Sequence, residues 1–147
     1  MAHPLLELIS RYFAAVDDKR LSAAVVGSTF LADGRVVRPN GAALVGHDEI
    51  LERQQESFAR FRATHHVITD HIVDLHDATA HVRANVTAMH LWKAEECDAN
   101  ALESYFLAGS VLEAVAAHAP DGWRIRDLSV RNVWRTGSGW SSMLRTR

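Results

Sequence analysis

The chain has 147 residues, a formal net charge of −2, 48% hydrophobic residues and 23% charged residues. These values fit one globular domain with its own core and exclude a disordered or fibrous chain. The 16 basic residues are scattered, and only Lys19 and Lys93 are lysines, so no nucleic-acid-binding stripe is predicted. A single cysteine, Cys97, excludes an internal disulfide. The single cysteine, the lack of a signal-peptide pattern and the lack of a membrane-spanning apolar run together predict that the protein is located in the reducing cytoplasm.

Apolar residues at helical spacing predict three helices in the first 60 residues: residues 4–16, residues 20–31 and a third that opens at Gly46. Asp17 and Asp18 close the first helix. A turn is expected at Asp33–Gly34, followed by a short strand over residues 35–38. After the third helix the hydrophobic period changes from helical to two, which indicates strands.

The clearest strand covers residues 80–92, where even positions are apolar apart from His90 and odd positions are polar until Met89. This alternation is typical of a sheet with one buried face. A second long strand is predicted over residues 104–117. The last strand begins with apolar residues on odd positions and continues with them on even positions. That change of phase predicts a bulge near Asp127, which would curve the sheet.

Three helices followed by a curved, mostly antiparallel sheet predict an α+β cone whose helices cover the concave face. Such a cone encloses an apolar cavity open at one end, a geometry that suits a small-molecule pocket. One domain is expected over residues 1–136. Residues 137–147 are expected to form a C-terminal tail, either mobile or covering the mouth of the pocket.

Two adjacent histidines occur in the segment Thr64–His65–His66–Val67, where a strand is predicted to begin. Adjacent residues of a strand point to opposite faces of a sheet. One histidine can enter the fold while the other meets solvent, although the apolar pattern alone does not decide which. Histidine is the side chain best matched to proton transfer near neutral pH. A metal site is not expected, because His65 and His66 diverge, and no cofactor is predicted.

Three other candidates for a site each have a structural alternative. His90 lies in register with the buried face, where it can also be a core histidine bonded to a backbone carbonyl. Asp17 can be a solvated charge at a helix end, where the helix dipole disfavours it by only about a few tenths of a kcal/mol. Tyr12 lies on the apolar stripe of the first helix, where tyrosine usually belongs to the core.

The segments RYFAAVDDKRLSAAVVGSTFLADGRVV, GHDEI and THHVITDHIVDL occur here in an order that resembles the SnoaL-like branch of the nuclear-transport-factor-two-like superfamily. The resemblance covers about residues 5 to 135, and it implies the cone described above. It extends furthest to scytalone dehydratase. Functional residues of that enzyme fall on four positions of this chain: Asp17, His66, His90 and Ser110. Its tyrosine before the aspartate falls on Val16 and its asparagine on Leu112, which implies a different substrate.

The chain also resembles ketosteroid isomerase, whose pocket tyrosine falls on Tyr12. The aspartate base of that enzyme would fall on Arg38, so a steroid-type isomerase is disfavoured. The resemblance to scytalone dehydratase instead implies that Asp17 orients His66 as a general base for dehydration or aldol-type cyclisation through an enolate. His90, with Ser110 or Tyr12, is expected to donate hydrogen bonds to the enolate oxygen.

The sequence leaves an isomerase other than the steroid type open, and two further alternatives to this lyase. One is a non-catalytic cone that binds a ligand or serves as an assembly subunit, as the β subunits of ring-hydroxylating dioxygenases do. The other is a cyclase that acts through the shape of its pocket alone. Met89 and Leu91 interrupt the polar outer face of the best strand, so a homodimer or homotrimer is expected, with an apolar or aromatic small molecule as the other partner. No nucleic acid or membrane is expected to bind.

Overall fold

A computed structural model describes residues 3–96, 98, 100 and 104–139. This part of the chain forms three helices and a six-stranded sheet; two helices precede the first strand, and the third lies between the second and third strands. The helices are α1 (Pro4–Asp17), α2 (Ala23–Thr29) and α3 (His47–Phe58). The strands are β1 (Phe30–Val37), β2 (Ala43–Val45), β3 (Phe61–His76), β4 (Thr79–Trp92), β5 (Tyr105–Ala119) and β6 (Gly122–Gly137). Cys97 and residues 140–147, on which the cysteine prediction and most of the tail prediction fall, lie outside the described residues.

Helix α1 confirms the first predicted helix. The imidazole of His3 accepts a hydrogen bond from the backbone N–H of Leu5, which caps the helix, and Pro4 occupies the first turn, where its missing N–H costs nothing. The apolar stripe of the helix is buried against the sheet. Asp17 therefore lies at the end of a helix whose axis and rotation are fixed by the core.

The second predicted helix is too long. Helix α2 ends at Thr29 and β1 begins at Phe30, so Asp33 and Gly34 lie inside a strand rather than in a turn. The pairing of β1 with β6 shifts register between Phe30 and Arg35. A Cβ on Gly34 would lie 2.9 Å from the backbone oxygen of Leu31, so this glycine permits a strand irregularity.

The sheet has the strand order β2-β1-β6-β5-β4-β3, and only the β1–β6 pair is parallel. The alternation predicted for β4 is confirmed, because its even positions from Ala80 to Trp92 are buried. Side chains from all three helices join those positions in one core. The helices therefore cover the concave face of the sheet, as expected for the α+β cone.

Strand β6 has the bulge predicted near Asp127. Val115 pairs with Asp127, whereas the next residue of β5 pairs with Ile125. A second irregularity, which the sequence pattern did not indicate, separates the pairs Gly109–Trp134 and Ser110–Asn132. It places Arg135 opposite Ala108 on the buried side of β5. The two bulges thus decide which β6 side chains face the concave side of the sheet.

Strand β6 continues through Gly137, one residue into the region expected to be a tail. The backbone oxygen of Ser138 then accepts a 2.7 Å hydrogen bond from the indole N–H of Trp92. This contact ties the end of β6 to the end of β4, near His90. Within the described part of the chain, no helix has the length and apolar character needed to cross a membrane.

Candidate active site

The end of α1 and the start of β3 meet at Asp17, whose carboxylate accepts three hydrogen bonds. Oδ1 accepts from the hydroxyl of Thr64 at 2.8 Å and from Nδ1 of His66 at 2.6 Å, and Oδ2 accepts from the backbone N–H of His66 at 2.9 Å. A carboxylate held by one backbone and two side-chain donors has little freedom to rotate. The sequence places these partners nearly fifty residues apart, and the packing of α1 on β3 brings them together.

The charge of Asp17 is stabilised by His66. Burial by itself raises the pKa of the carboxyl, but the hydrogen bonds and charge of His66, with the hydrogen bond of Thr64, bring the pKa below its usual range. Asp17 is thus an anion that accepts from Nδ1 of His66. Nε2 of His66 has no hydrogen-bond partner among the described residues, and the ring lines a cavity. The arrangement leaves Nε2 available to a molecule in that cavity.

Alternation along β3 separates the two adjacent histidines as expected. The side chain of His66 is only 5% exposed and packs between the rings of Phe13 and Phe58, at centroid distances of 4.9 and 5.9 Å. His65 is exposed on the other face. The inward histidine is therefore the one that has the acidic partner.

His90 lies on β4 beside His66, with 5.9 Å between the ring centroids. Its Nδ1 lies 3.0 Å from the backbone oxygen of Phe106, which can only accept, so Nδ1 carries the proton. Burial and, to a smaller extent, the nearby His66 lower the pKa of His90 to about 4, against the opposite effects of the Phe106 hydrogen bond and Asp17. The ring is neutral at pH 7, and its Nε2 is an acceptor. This geometry favours His90 as an acceptor in the cavity rather than as the predicted donor to an enolate oxygen.

Tyr12 has the donor that His90 lacks. Its hydroxyl oxygen accepts a 3.0 Å hydrogen bond from the side-chain amide of Gln54, and its own proton has no acceptor among the described residues. Burial raises the pKa of Tyr12 to about 12, although the Gln54 hydrogen bond and the charge of Arg38 act in the opposite direction. The phenol is neutral at pH 7 and borders the same cavity as His66. Its O–H can donate to an oxygen bound there.

Ser110 is buried on β5, where its hydroxyl donates a 2.8 Å hydrogen bond to the side-chain oxygen of Asn132 on β6. With its proton used in this way, Ser110 is not the donor expected from the sequence. The NH₂ group of Asn132 has no partner among the described residues, and both side chains line the cavity. Asn132 is therefore a polar group of the site that the sequence reasoning missed.

The cavity has a volume of about 330 Å³, which is within the range of small-molecule pockets. All the predicted site residues except Asp17 line it, and Asp17 lies behind His66. Much of the remaining wall is apolar, and it includes Phe13, Val86, Ala88 and Phe106. Three arginines also line it: Arg38, Arg131 and Arg135. Among the described residues there is no group of three or more side chains suited to hold a metal ion.

The model of a SnoaL-like domain family matches residues 4–129, which is most of the sequence. The chain belongs to this SnoaL-like family. No curated protein matches the SnoaL-like chain significantly. The resemblance inferred from the segments around Asp17, Gly46 and His66 is thereby confirmed at the level of the family.

Solved structures share the SnoaL-like fold at low sequence identity. Kfla4162 from Kribbella flavida is 23% identical over 90% of both chains, with a TM-score of 0.81. A candidate scytalone dehydratase from Novosphingobium aromaticivorans is 16% identical over 90% of this chain and 83% of its own, with a TM-score of 0.75. A candidate NTF2-like dehydratase from Streptomyces avermitilis is 18% identical over 86% of this chain and 92% of its own, with a TM-score of 0.72. The TM-scores of these three structures show that they share the fold of this chain.

Besides Asn132, the sequence analysis missed other polar cavity residues of this SnoaL-like chain, among them Arg38, Gln54 and Arg135. Gln54 lies on the buried side of α3, so a polar residue at a core position was the available signal. Arg38 gave a weaker signal, since it follows a short apolar strand and precedes a proline. Arg135 gave none, because the unpredicted bulge in β6 decides the face it takes.

Proposed function

We propose that this protein is a cofactor-independent lyase that acts on a hydroxylated carbonyl compound through an enolate. The observation that carries the proposal is the 2.6 Å contact between Asp17 and Nδ1 of His66, with Nε2 left available to the cavity. An anionic orienting group on one ring nitrogen and an available second nitrogen are the elements of a positioned general base. This arrangement does not require a metal.

In the first step, Nε2 of neutral His66 removes a proton from the carbon next to the substrate carbonyl. The C–H electron pair becomes the enolate, and the negative charge of Asp17 stabilises the imidazolium that forms. Tyr12 donates its phenolic hydrogen bond to the enolate oxygen, where charge develops.

In the second step, the enolate expels the hydroxyl from the β carbon, and His66 returns its proton to that oxygen. The products are an α,β-unsaturated carbonyl compound and water, and the protein returns to its starting protonation state. Nε2 of His90 accepts a hydrogen bond from the β-hydroxyl and thereby holds it near His66. When a second carbonyl group lies within reach, the same enolate attacks it, and cyclisation replaces dehydration.

The descriptions of two related structures support dehydration as the type of reaction. Two solved structures of the same fold are described as candidate dehydratases, and dehydration is the elimination that an enolate undergoes when a β-hydroxyl is present. The substrate is proposed to be polyketide-like in size and in its mixture of apolar and oxygenated carbons. The apolar rings and small side chains of the cavity wall suit such a molecule.

The test is proton abstraction itself. A panel of cyclic β-hydroxyketones is incubated with the protein in D₂O, and NMR and ultraviolet absorbance follow deuterium incorporation and enone formation. The wild type should catalyse at least one of these changes. His66→Gln should lose it, whereas His65→Gln, a change at the adjacent exposed residue, should retain it. Equal rates in the wild type and His66→Gln would overturn the role of His66.

The same experiment separates the proposal from its alternatives. A non-catalytic ligand-binding or assembly subunit would bind members of the panel without exchange or elimination. A cyclase that acts by shape alone would remain active in His66→Gln. An isomerase would exchange deuterium into these hydroxyketones without loss of water.

A further inference from the structure

The cavity wall has an excess of positive charge that proton abstraction does not require. Arg38, Arg131 and Arg135 line it, and none of the aspartates and glutamates that the structure describes does. Asp17 lies behind His66, and its carboxylate is engaged by three donors. Charge in a pocket of low polarity acts strongly on whatever binds there, so this imbalance bears on the substrate.

Arg38 is the most buried of the three arginines, with 9% of its surface exposed. Burial lowers its pKa, as do Arg53 and Arg60, while Glu56 and Tyr12 act in the opposite direction. A guanidinium nevertheless stays protonated at neutral pH, because its ordinary pKa is far above 7. A cation is therefore kept at a largely desolvated position in the wall of the pocket.

The backbone holds Arg38 in a fixed place. Its N–H donates a 2.9 Å hydrogen bond to the carbonyl of Ala42, and its carbonyl accepts a 2.8 Å hydrogen bond from Gly41. Gly41 has a φ of 86°, a conformation that suits glycine and closes the tight turn after β1. The stem of the arginine thus begins from a rigid turn, and Pro39 and Asn40 of that turn also border the cavity.

The second bulge of β6 brings a further cation to the same pocket. It pairs Arg135 with Ala108, whose side chain lines the cavity, and leaves Trp134 49% exposed. A regular strand continuing from Asn132 would have placed Trp134 on the inner face in its stead. The irregularity therefore replaces a large apolar side chain by a guanidinium in the wall.

From these placements we infer that the substrate carries a carboxylate, and that this carboxylate binds against Arg38. The inference rests on the proposed function, since it names a substrate class for the same cavity. A guanidinium presents N–H groups in a fork that matches the two oxygens of a carboxylate. Arg131 and Arg135 add to the favourable potential. The substrate class is thus a hydroxylated, largely apolar keto acid.

The test uses two ligands that differ in charge and hardly in shape, 2-naphthoate and 2-naphthamide. Isothermal titration calorimetry measures their dissociation constants on the wild-type protein at pH 7. We expect the naphthoate to bind about tenfold or more tightly than the amide, as for other charge-assisted hydrogen bonds. Equal affinity, or no naphthoate binding at millimolar concentration, would overturn the inference.

Variants then locate the preference. Arg38→Gln should bring the ratio of the two dissociation constants close to one with little change for the amide, and Arg38→Lys should retain part of it. Arg126→Gln, a change at an exposed arginine of β6 outside the cavity wall, should leave the ratio unchanged. A wild-type ratio in Arg38→Gln would refute the assignment to Arg38. Because each variant is judged by a ratio of two ligands, a small loss of folded protein does not alter the result.

This outcome is independent of the catalytic proposal. His66→Gln should keep the preference for naphthoate even though it loses proton abstraction. A carboxylate preference without any deuterium exchange in the wild type would leave the binding inference standing and end the catalytic one. Exchange of neutral hydroxyketones by the wild type, together with equal affinity of the wild type for naphthoate and naphthamide, would end the binding inference and leave the catalytic one standing.

Discussion

Two neighbouring regions of the cavity wall each present a histidine, and they differ in what holds Nδ1. At the start of β3, Nδ1 of His66 is held by the carboxylate of Asp17, whereas at the end of β4, Nδ1 of His90 is held by the carbonyl of Phe106. The rings lie 5.9 Å apart and both are buried. A carboxylate stabilises an imidazolium, while a neutral carbonyl in a buried site does so only weakly.

The difference shows that the partner of one ring nitrogen decides the chemistry of the other. His66 can accept a proton at Nε2 because the charge that results is next to an anion. His90 is kept neutral by burial, so its Nε2 accepts a hydrogen bond and does not act as an acid near pH 7. In the proposed mechanism, proton transfer and substrate positioning are divided between these two histidines.

Removing the anion should have the largest effect. Asp17→Asn keeps the size of the side chain but cannot stabilise an imidazolium, so we expect kcat for proton abstraction to fall by roughly a hundred- to ten-thousand-fold. KM should change little. Asp18→Asn is the matched control, because Asp18 is exposed and its carboxylate pairs with Arg20 rather than with a residue of the cavity. A wild-type kcat in Asp17→Asn would mean that His66 does not depend on its partner.

The neutral state of His90 should appear in the pH dependence of stability. In the unfolded chain this histidine takes up a proton near pH 6.5, but in the folded protein it does so only near pH 4. The unfolded state therefore binds more protons between these values, and the free energy of unfolding should fall by up to about 3 kcal/mol as the pH drops from 7 to 4. Urea denaturation at several pH values measures this loss.

His90→Gln should remove most of that dependence, since glutamine does not titrate. His71→Gln, a change at an exposed histidine of β3, should retain it. The pKa of Asp17 lies below its usual range, so the stability that Asp17 contributes begins to be lost as the pH approaches the ordinary aspartate pKa of 3.8. That loss affects the wild type and both variants, so the comparison between them isolates His90. An unchanged slope in His90→Gln would show that this histidine is protonated as readily in the folded chain as in the unfolded one.

Removing the phenolic donor of Tyr12 should lower the rate of the reaction. Tyr12→Phe deletes the O–H that is proposed to bind the enolate oxygen, and we expect kcat to fall about a hundredfold. Tyr105→Phe is the control, because Tyr105 does not line the cavity. The rate of deuterium exchange gives the measurement. If kcat stayed the same, the enolate oxygen would have to be bound by another donor, such as Asn132.

The smallest effect is expected at the residue that supports the anion. Thr64→Val removes one of the three hydrogen bonds of Asp17, which is worth about 1 kcal/mol or about fivefold in rate. The pKa of Asp17 should rise, since a donor to its charged form is lost. NMR titration of the carboxyl measures that rise, and Thr87→Val, on the outer face of β4, should not produce it.

Much of this site could be predicted from the sequence, together with its resemblance to a known family. The resemblance named Asp17, His66 and His90, and strand alternation allowed one histidine of the pair to face inward. The sequence could not indicate that Nε2 of His90 is an acceptor, because a hydrogen bond to a backbone carbonyl sets its tautomer. No residue pattern reports which carbonyl will lie beside an imidazole. Arg135 could not be predicted because the second bulge in β6 decides its facing, whereas Asn132 continues the even-numbered alternation of Leu128 and Val130.

Local interactions explain which parts of the fold the sequence determined by itself. Three features depend on residues that are close together in the chain: the apolar stripe of α1, the alternation of β4 and the change of phase near Asp127. Phe30 and Gly34 show the limit: the sequence indicates a helix end and a turn there, and the partner strand β6 makes them part of β1.

Only the tertiary structure decided the hydrogen bonds of Asp17 to Thr64 and His66. It also decided the neutral state of His90 and the positive charge of the cavity wall around Arg38. The physical reason is that hydrogen-bond geometry and desolvation depend on atoms from distant segments, which the order of residues does not place. The two adjacent histidines at residues 65 and 66 show both sides of this division. Alternation separated them, and the position of Asp17 gave one of them a function to test.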